Sequence, residues 1–124
     1  MSQIVVDYGT RVIPPSPTII YGNIPLPLTL HAQYLLMKAG LGNGEYPTQQ
    51  FIDAIKGVPL GDITKEECKR DVEGQRTTLV RPLEAGVFTC DRVTIKNFTP
   101  NKYKLELLVH ETSQERYVRL FGRH

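Results

Sequence analysis

The chain has 124 residues, of which 40% are hydrophobic and 23% are charged, and its formal net charge at pH 7 is +2. This composition is ordinary for a folded globular protein and excludes global disorder. The net charge is too small to identify a class of partner. Two cysteines, Cys68 and Cys90, are too few for a disulfide scaffold. We expect two reduced thiols, with one bridge between them as the alternative.

No targeting or membrane signal is evident along the chain. The N-terminal residues Met1 to Ile4 lack the basic region and the long apolar run of a signal peptide. No stretch approaches the roughly 18 consecutive apolar residues that a transmembrane helix requires. The sequence therefore predicts a cytoplasmic protein without a transmembrane span.

The first 17 residues contain three prolines, Pro14, Pro15 and Pro17. Proline fixes φ and has no amide hydrogen, so it cannot donate a hydrogen bond to a strand ladder. We therefore predict an extended, proline-containing N-terminal arm over residues 1–17. A single α+β domain is predicted to follow over residues 18–124.

Two short strands are predicted after the arm, Thr18–Tyr21 and Ile24–Leu30. The dipeptide Gly-Asn between them is typical of a tight turn. The second strand contains Pro25 and Pro27, and a strand tolerates proline only at a sheet edge, where no amide donor is needed. The sequence therefore predicts a hairpin whose second strand lies at the edge.

Three helices are predicted in the middle of the chain. Apolar residues at helical spacing indicate His31–Ala39 and Pro47–Lys56, and each run ends at a glycine. Thr64 and Glu67 have the spacing of a capping box, which predicts a third helix that continues to Glu73. A further strand is predicted over Arg76–Arg81.

The C-terminal segment shows the clearest period-2 pattern. Tyr103, Leu105, Leu107 and Val109 alternate with polar residues, as in a half-buried strand. The predicted fold class is therefore α+β, with an antiparallel β-meander in the C-terminal half covered by two or three short helices from the N-terminal and middle segments. The three strands of this meander are Val87–Asn97, Lys102–His110 and Arg116–Phe121.

The outer face of that meander would be basic, with aromatic residues among the charges. Such a face suits single-stranded RNA or DNA, or an anionic membrane surface, although a solvated sheet face has the same composition. The candidate contact residues are Arg92, Lys96, Lys102, Lys104, Tyr117, Arg119, Phe121 and Arg123.

Residues for catalysis or metal binding are not indicated. The three histidines have no metal-ligand spacing, and no cofactor motif occurs. His110 and Glu106 would lie roughly 13 Å apart along a strand, too far for a general-base pair. The sequence therefore predicts a protein that is not an enzyme and needs no metal or cofactor.

The leading hypothesis is a structural or assembly protein that forms homo-oligomers or binds a protein partner. The first half of the chain is weakly charged and rich in proline and glycine, so its apolar surface is expected to be buried against a sheet or against other copies. Nucleic-acid binding through the basic meander is the alternative hypothesis. The candidate self-association residues are Tyr21, Leu26, Leu28 and Leu41.

The predicted order of elements is a strand, two helices separated by a glycine-rich loop, and then a β-meander. This order is similar to that of the matrix proteins of some negative-strand RNA viruses. The resemblance implies a self-associating viral structural protein, and phage and other viral accessory proteins fit the same order. No residue motif is shared, so no site and no activity is carried over.

Overall fold

The computed structural model describes residues 16–122, and within that range the chain forms four strands and five helices. The predicted α+β class is confirmed, whereas nearly all of the predicted N-terminal arm lies outside the described residues. In chain order the elements are β1 (Thr18–Tyr21), β2 (Ile24–Pro27), α1 (Leu30–Ala39), β3 (Gly44–Pro47), α2 (Thr48–Lys56), α3 (Glu66–Glu84), β4 (Arg92–Lys96), α4 (Lys102–His110) and α5 (Ser113–Phe121).

The four strands form one antiparallel sheet in the order β2-β1-β4-β3. The register places Ile19 of β1 opposite Leu26 of β2 and Ile95 of β4. Gly22 has a φ of 66° at the turn between β1 and β2, a conformation that glycine adopts at little cost. The predicted hairpin and its edge strand are therefore confirmed.

The prolines of β2 face the free edge of the sheet. The amide of Leu28 donates to the carbonyl of Pro17 at 3.0 Å, so even-numbered residues of this segment point toward β1. Backbone groups alternate in direction along a strand, which turns the nitrogens of Pro25 and Pro27 outward. The outer edge of β2 consequently has no amide donor at these two positions.

One hydrophobic core joins the inner face of the sheet to the helices. Ile19, Tyr21, Val93 and Ile95 point inward from the two central strands and are fully buried. Helix α1 packs against α2, α3 and α4, so it lies at the centre of the helical layer. The largest buried side chains that these helices contribute are Tyr34, Leu35, Leu36, Phe51, Ile55, Val72 and Leu105.

The second strand of the predicted meander is wrong, because Lys102–His110 forms helix α4. The side chain of Asn101 accepts a hydrogen bond from the amide of Lys104 at 3.0 Å and caps the helix. Leu105 and Val109 are buried and lie four residues apart, which is the helical repeat. The sequence of this segment therefore fits the repeat of a strand and that of a helix. Packing against α1 favours the helix.

The third strand of the predicted meander is also wrong, because residues 116–121 belong to helix α5. Thr112 and Glu115 form a complete capping box at its start, with hydrogen bonds of 3.1 and 3.0 Å. Of the three meander strands only β4 is a strand, so most of the sheet comes from the N-terminal half. The element order behind the resemblance to viral matrix proteins is therefore not present.

Helix α3 is longer than predicted and replaces the strand expected over Arg76–Arg81. It continues past Gly74 because its buried residues keep a helical spacing on both sides of that glycine. They are Cys68, Val72, Leu79 and Val80. The predicted capping box at Thr64 does not form, since the helix is capped at Lys65 without a side-chain hydrogen bond.

Candidate functional site

Helix α5 is the only helix of residues 16–122 with no buried residue. At 3.6 residues per turn its four large apolar side chains fall on one arc, and Arg119 lies on the opposite side. The rings of Tyr117 and Phe121 contact each other with their centres 5.3 Å apart. The four apolar side chains and their exposed fractions are Tyr117 (63%), Val118 (55%), Leu120 (52%) and Phe121 (56%).

The polar side of α5 is held against the protein by one ion pair. The guanidinium of Arg119 donates to the two carboxylate oxygens of Glu111 at 2.6 and 3.1 Å. Glu111 is only 7% exposed, and it is the one charged residue buried within residues 16–122. The hydrogen bonds from Arg119 lower the pKa of Glu111, and the same contact raises the pKa of Arg119. The apolar side of α5, residues 117, 118, 120 and 121, therefore points away from the body; we call it the outward face.

A cavity of about 300 Å³ lies on the other side of α5, between that helix and α4. Its apolar wall comes from Leu105, Leu107 and Leu108. Four cationic side chains also line it, namely Lys65, Lys104, Arg116 and Arg119. The cavity thus combines hydrocarbon with positive charge, whereas the outward face is mainly apolar.

A polar cluster links α4 to α1 beside this region. The imidazole Nε2 of His110 lies 2.9 Å from a carboxylate oxygen of Glu106 and 3.4 Å from the hydroxyl of Tyr34. The ammonium of Lys38 lies 3.6 Å from the other oxygen of Glu106. Burial, followed by the charges of Asp62 and Glu106, raises the pKa of Tyr34 to about 12, so its hydroxyl stays protonated at neutral pH.

The 13 Å separation predicted for His110 and Glu106 is wrong, because the two residues occupy successive turns of a helix. In a helix, residues four positions apart are neighbours, so a helical prediction for this segment would have placed Glu106 beside His110. The polar side chains of this cluster pair with one another between α1 and α4. Such pairing is typical of a contact that stabilises helix packing. None of them is directed at a nucleophilic side chain in the contacts of residues 16–122.

The predicted nucleic-acid contacts do not form one sheet face. Arg92 and Lys96 lie on the outer side of β4, and Arg92 pairs with Glu45 at 3.1 Å. The other described residues of the set lie on helices instead of strands. Lys102 and Lys104 are in α4, Tyr117, Arg119 and Phe121 are in α5, and Arg123 lies outside the described residues.

The predicted self-association residues belong to the core of the fold. Tyr21, Leu28 and Leu41 are buried, and Leu26 is half-buried against the same cluster. The hydroxyl of Tyr21 donates to the carbonyl of Leu79 at 2.9 Å inside the protein. The three buried side chains are therefore covered by the protein's own core, whereas Leu26 keeps part of its surface exposed on the edge strand. The sequence does not predict the outward face of α5, because it predicts a strand over residues 116–121.

The described part of the chain shows no metal or disulfide site. No group of three or more His, Cys, Asp or Glu residues within 16–122 is placed to bind a metal ion. Cys68 and Cys90 are both free, and the Cys68 thiol donates to the carbonyl of Leu108. Among the described helices, none combines the length and apolarity needed to cross a membrane.

Comparison with known proteins adds no relative from which a role could be inferred. No protein-family model matches the chain, and neither the curated proteins nor the solved structures gave a match.

Proposed function

We propose that this protein is a non-enzymatic assembly component that associates with further copies of itself through the outward face of α5. The supporting observation is the orientation of that helix. Its polar side is held by Glu111, while four apolar side chains, each more than half exposed, point into solvent. Contiguous apolar surface of this kind is typical of a contact site, because covering it removes hydrocarbon from water.

A second copy is the partner we favour because the outward face is self-complementary. Two α5 helices can pair antiparallel about a two-fold axis at the level of Arg119. Tyr117 then meets Phe121 of the second copy, and Val118 meets Leu120. The guanidinium of Arg119 lies on the far side of each helix, so no like charges meet at the centre of the contact.

An anionic membrane surface is less well supported as the partner. Helices that lie on membranes usually carry several cations along their polar face. Within residues 113–121 the cations are Arg116 and Arg119, and Arg119 is already paired with Glu111. A single remaining arginine gives little attraction to anionic lipid.

The expected association is weak, because nine residues provide a small contact. Stable protein interfaces bury roughly 800 Å² on each partner, which is more than one short helix face offers. We therefore expect a concentration-dependent dimer with a dissociation constant on the order of 10 μM or higher.

Sedimentation velocity over a wide concentration range, at low and high salt, tests this proposal. Wild-type protein should dimerise as concentration rises, and apolar contacts should persist at high salt. The double variant Tyr117→Gln with Phe121→Gln should stay monomeric with an unchanged circular dichroism spectrum. Val87→Gln is the matched control, since Val87 is 71% exposed but lies outside α5. A monomer at every concentration, or equal dimerisation of wild type and double variant, contradicts the proposal.

Nucleic-acid binding is the second candidate function, favoured by two exposed aromatic rings on α5, a helix whose opposite side lines a cavity with basic residues. Tyr117 and Phe121 could stack on bases, and Lys104 and Arg116 could contact phosphates. Titration with a short single-stranded RNA at low salt tests it. Reversing the charge of Lys104 and Arg116 should weaken binding and flatten its salt dependence. Unchanged affinity of this variant at low salt rules this candidate out.

A further inference from the structure

The cavity between α4 and α5 has the composition of a small-ligand site. Its volume of about 300 Å³ matches the lower end of the range for small-molecule pockets. Leu30 and three leucines of α4 contribute to its wall, and Tyr103 also lines it, with 68% of the residue exposed. An apolar group could leave water by entering it.

The charges at this cavity divide into those already satisfied and those still available. Lys65 donates to the carbonyls of Leu107 and Leu108 at 2.9 and 3.1 Å, and Arg119 is bound to Glu111. Among residues 16–122 no side chain pairs with Lys104 or Arg116. Two cationic groups are therefore available to a ligand.

We propose that this cavity binds an organic anion that carries an apolar chain, of the size of a medium-chain carboxylate. The carboxylate would lie between Lys104 and Arg116, because a guanidinium matches the planar geometry of a carboxylate. The hydrocarbon chain would cover Leu105, Leu107 and Leu108. Among residues 16–122, Glu111 is the only carboxylate that lines the cavity, and its charge is paired with that of Arg119.

This site is independent of the proposed self-association. Arg116 and Arg119 line the cavity, whereas Tyr117 and Phe121 belong to the outward face. A ligand in the cavity and a second copy on the outward face would contact different surfaces of α5. Either proposal can therefore fail without the other.

A fluorescent reporter makes the binding measurable, because the chain contains no tryptophan. Tyr103→Trp places a single indole at the cavity margin, at a position exposed enough to accept it. Titration with octanoate should shift its emission with a dissociation constant on the order of 0.1 to 1 mM. The neutral analogue 1-octanol should bind about tenfold more weakly, and acetate, which lacks the chain, should give no saturable shift.

Charge variants in the same reporter background identify the contacting groups. Replacing Lys104 and Arg116 by glutamine should weaken octanoate binding about tenfold or more. Replacing the exposed Arg70 and Lys96 by glutamine removes the same charge elsewhere and should leave the affinity within about twofold. Leucine methyl NMR shifts at 105, 107 and 108 in the unsubstituted chain provide a second measurement. Equal binding of octanoate and 1-octanol, equal effects of both double variants, or no methyl shifts would overturn the proposal.

Discussion

Arg119 and Glu111 join α5 to the end of α4 through two hydrogen bonds of 2.6 and 3.1 Å. Glu111 is buried where it follows the last turn of α4, so its carboxylate fixes the position of the arginine. Because Arg119 lies on the polar side of α5, this contact turns the polar side toward the protein. The apolar side is then exposed to solvent. The exposure of the apolar residues is thus set by a polar interaction.

Removing the arginine should loosen α5 without unfolding the protein. In Arg119→Gln the helix loses its charged link to the body, so amides of residues 116–121 should exchange hydrogen faster than in wild type. The melting temperature should also fall, because the buried carboxylate of Glu111 loses its partner. Arg116→Gln is the control on the same helix and should leave exchange unaltered. Equal exchange rates in both variants would show that the ion pair does not hold α5.

Acid should weaken the same link. The folded-state pKa of Glu111 lies below its unfolded value, so its contribution to stability is present above the unfolded pKa of about 4.3 and is lost as pH falls through the lower folded value. Exchange of the α5 amides, corrected for intrinsic rates, should therefore be constant above about pH 5 and should rise in more acidic solution. NMR titration of the Glu111 carboxyl carbon gives the folded pKa directly. Glu111→Gln is the control that should show no such rise, and a titration midpoint at the ordinary glutamate value would refute the expectation.

The buried hydroxyl of Tyr21 should contribute measurably to stability. It donates to the carbonyl of Leu79 at 2.9 Å, and burial raises its pKa. Tyr21→Phe removes this hydrogen bond and keeps the ring, which packs against Phe51 and Phe88. We expect a loss of about 1 kcal/mol in the free energy of unfolding, measured by urea denaturation. Tyr117→Phe should lose less than about 0.5 kcal/mol, because its ring is exposed. Similar losses in both variants would count against the Tyr21 contact.

The side chain of Asn43 should hold the segment between β4 and α4. Its amide nitrogen donates to the carbonyl of Phe98 at 2.8 Å, and its oxygen accepts from the amide of Phe98 at 2.9 Å. Asn43→Ala removes both bonds while Phe98 stays buried, so we expect a loss of about 2 kcal/mol in urea denaturation. Gln50→Ala, at an exposed position of α2, is the control and should be nearly neutral. If the two substitutions cost the same, the bonds to Phe98 are not important for stability.

The sequence predicted well those elements whose ends carry glycine or proline. Gly22 marks the β1–β2 turn, Gly40 ends α1 and Gly57 ends α2, and the predicted bounds are close to the observed ones. Gly22 and Gly40 have φ values of 66° and 77°, a backbone conformation that glycine adopts at little cost, so their effect does not depend on distant contacts.

The C-terminal third was predicted poorly because its local pattern is ambiguous. Lys102–His110 fits a strand by alternation and a helix by Leu105 and Val109, and only packing against α1 decides between them. Thr112 and Glu115 have the spacing of a capping box and mark the start of α5, where the third meander strand was predicted to follow. The outward face of α5 and the cavity beside α4 both depend on these two helices, so neither could be predicted.

The prolines of β2 have a consequence for crowded conditions. A chain that presents an open strand edge can recruit extended segments from its neighbours, and such growth has no natural end. Here an approaching strand would find no amide hydrogen at Pro25 or Pro27 with which to pair. If copies associate through α5, strand pairing at the outer edge of β2 would not extend the assembly into fibrils. Growth of fibrils from this edge is therefore disfavoured even where the local concentration of the protein is high.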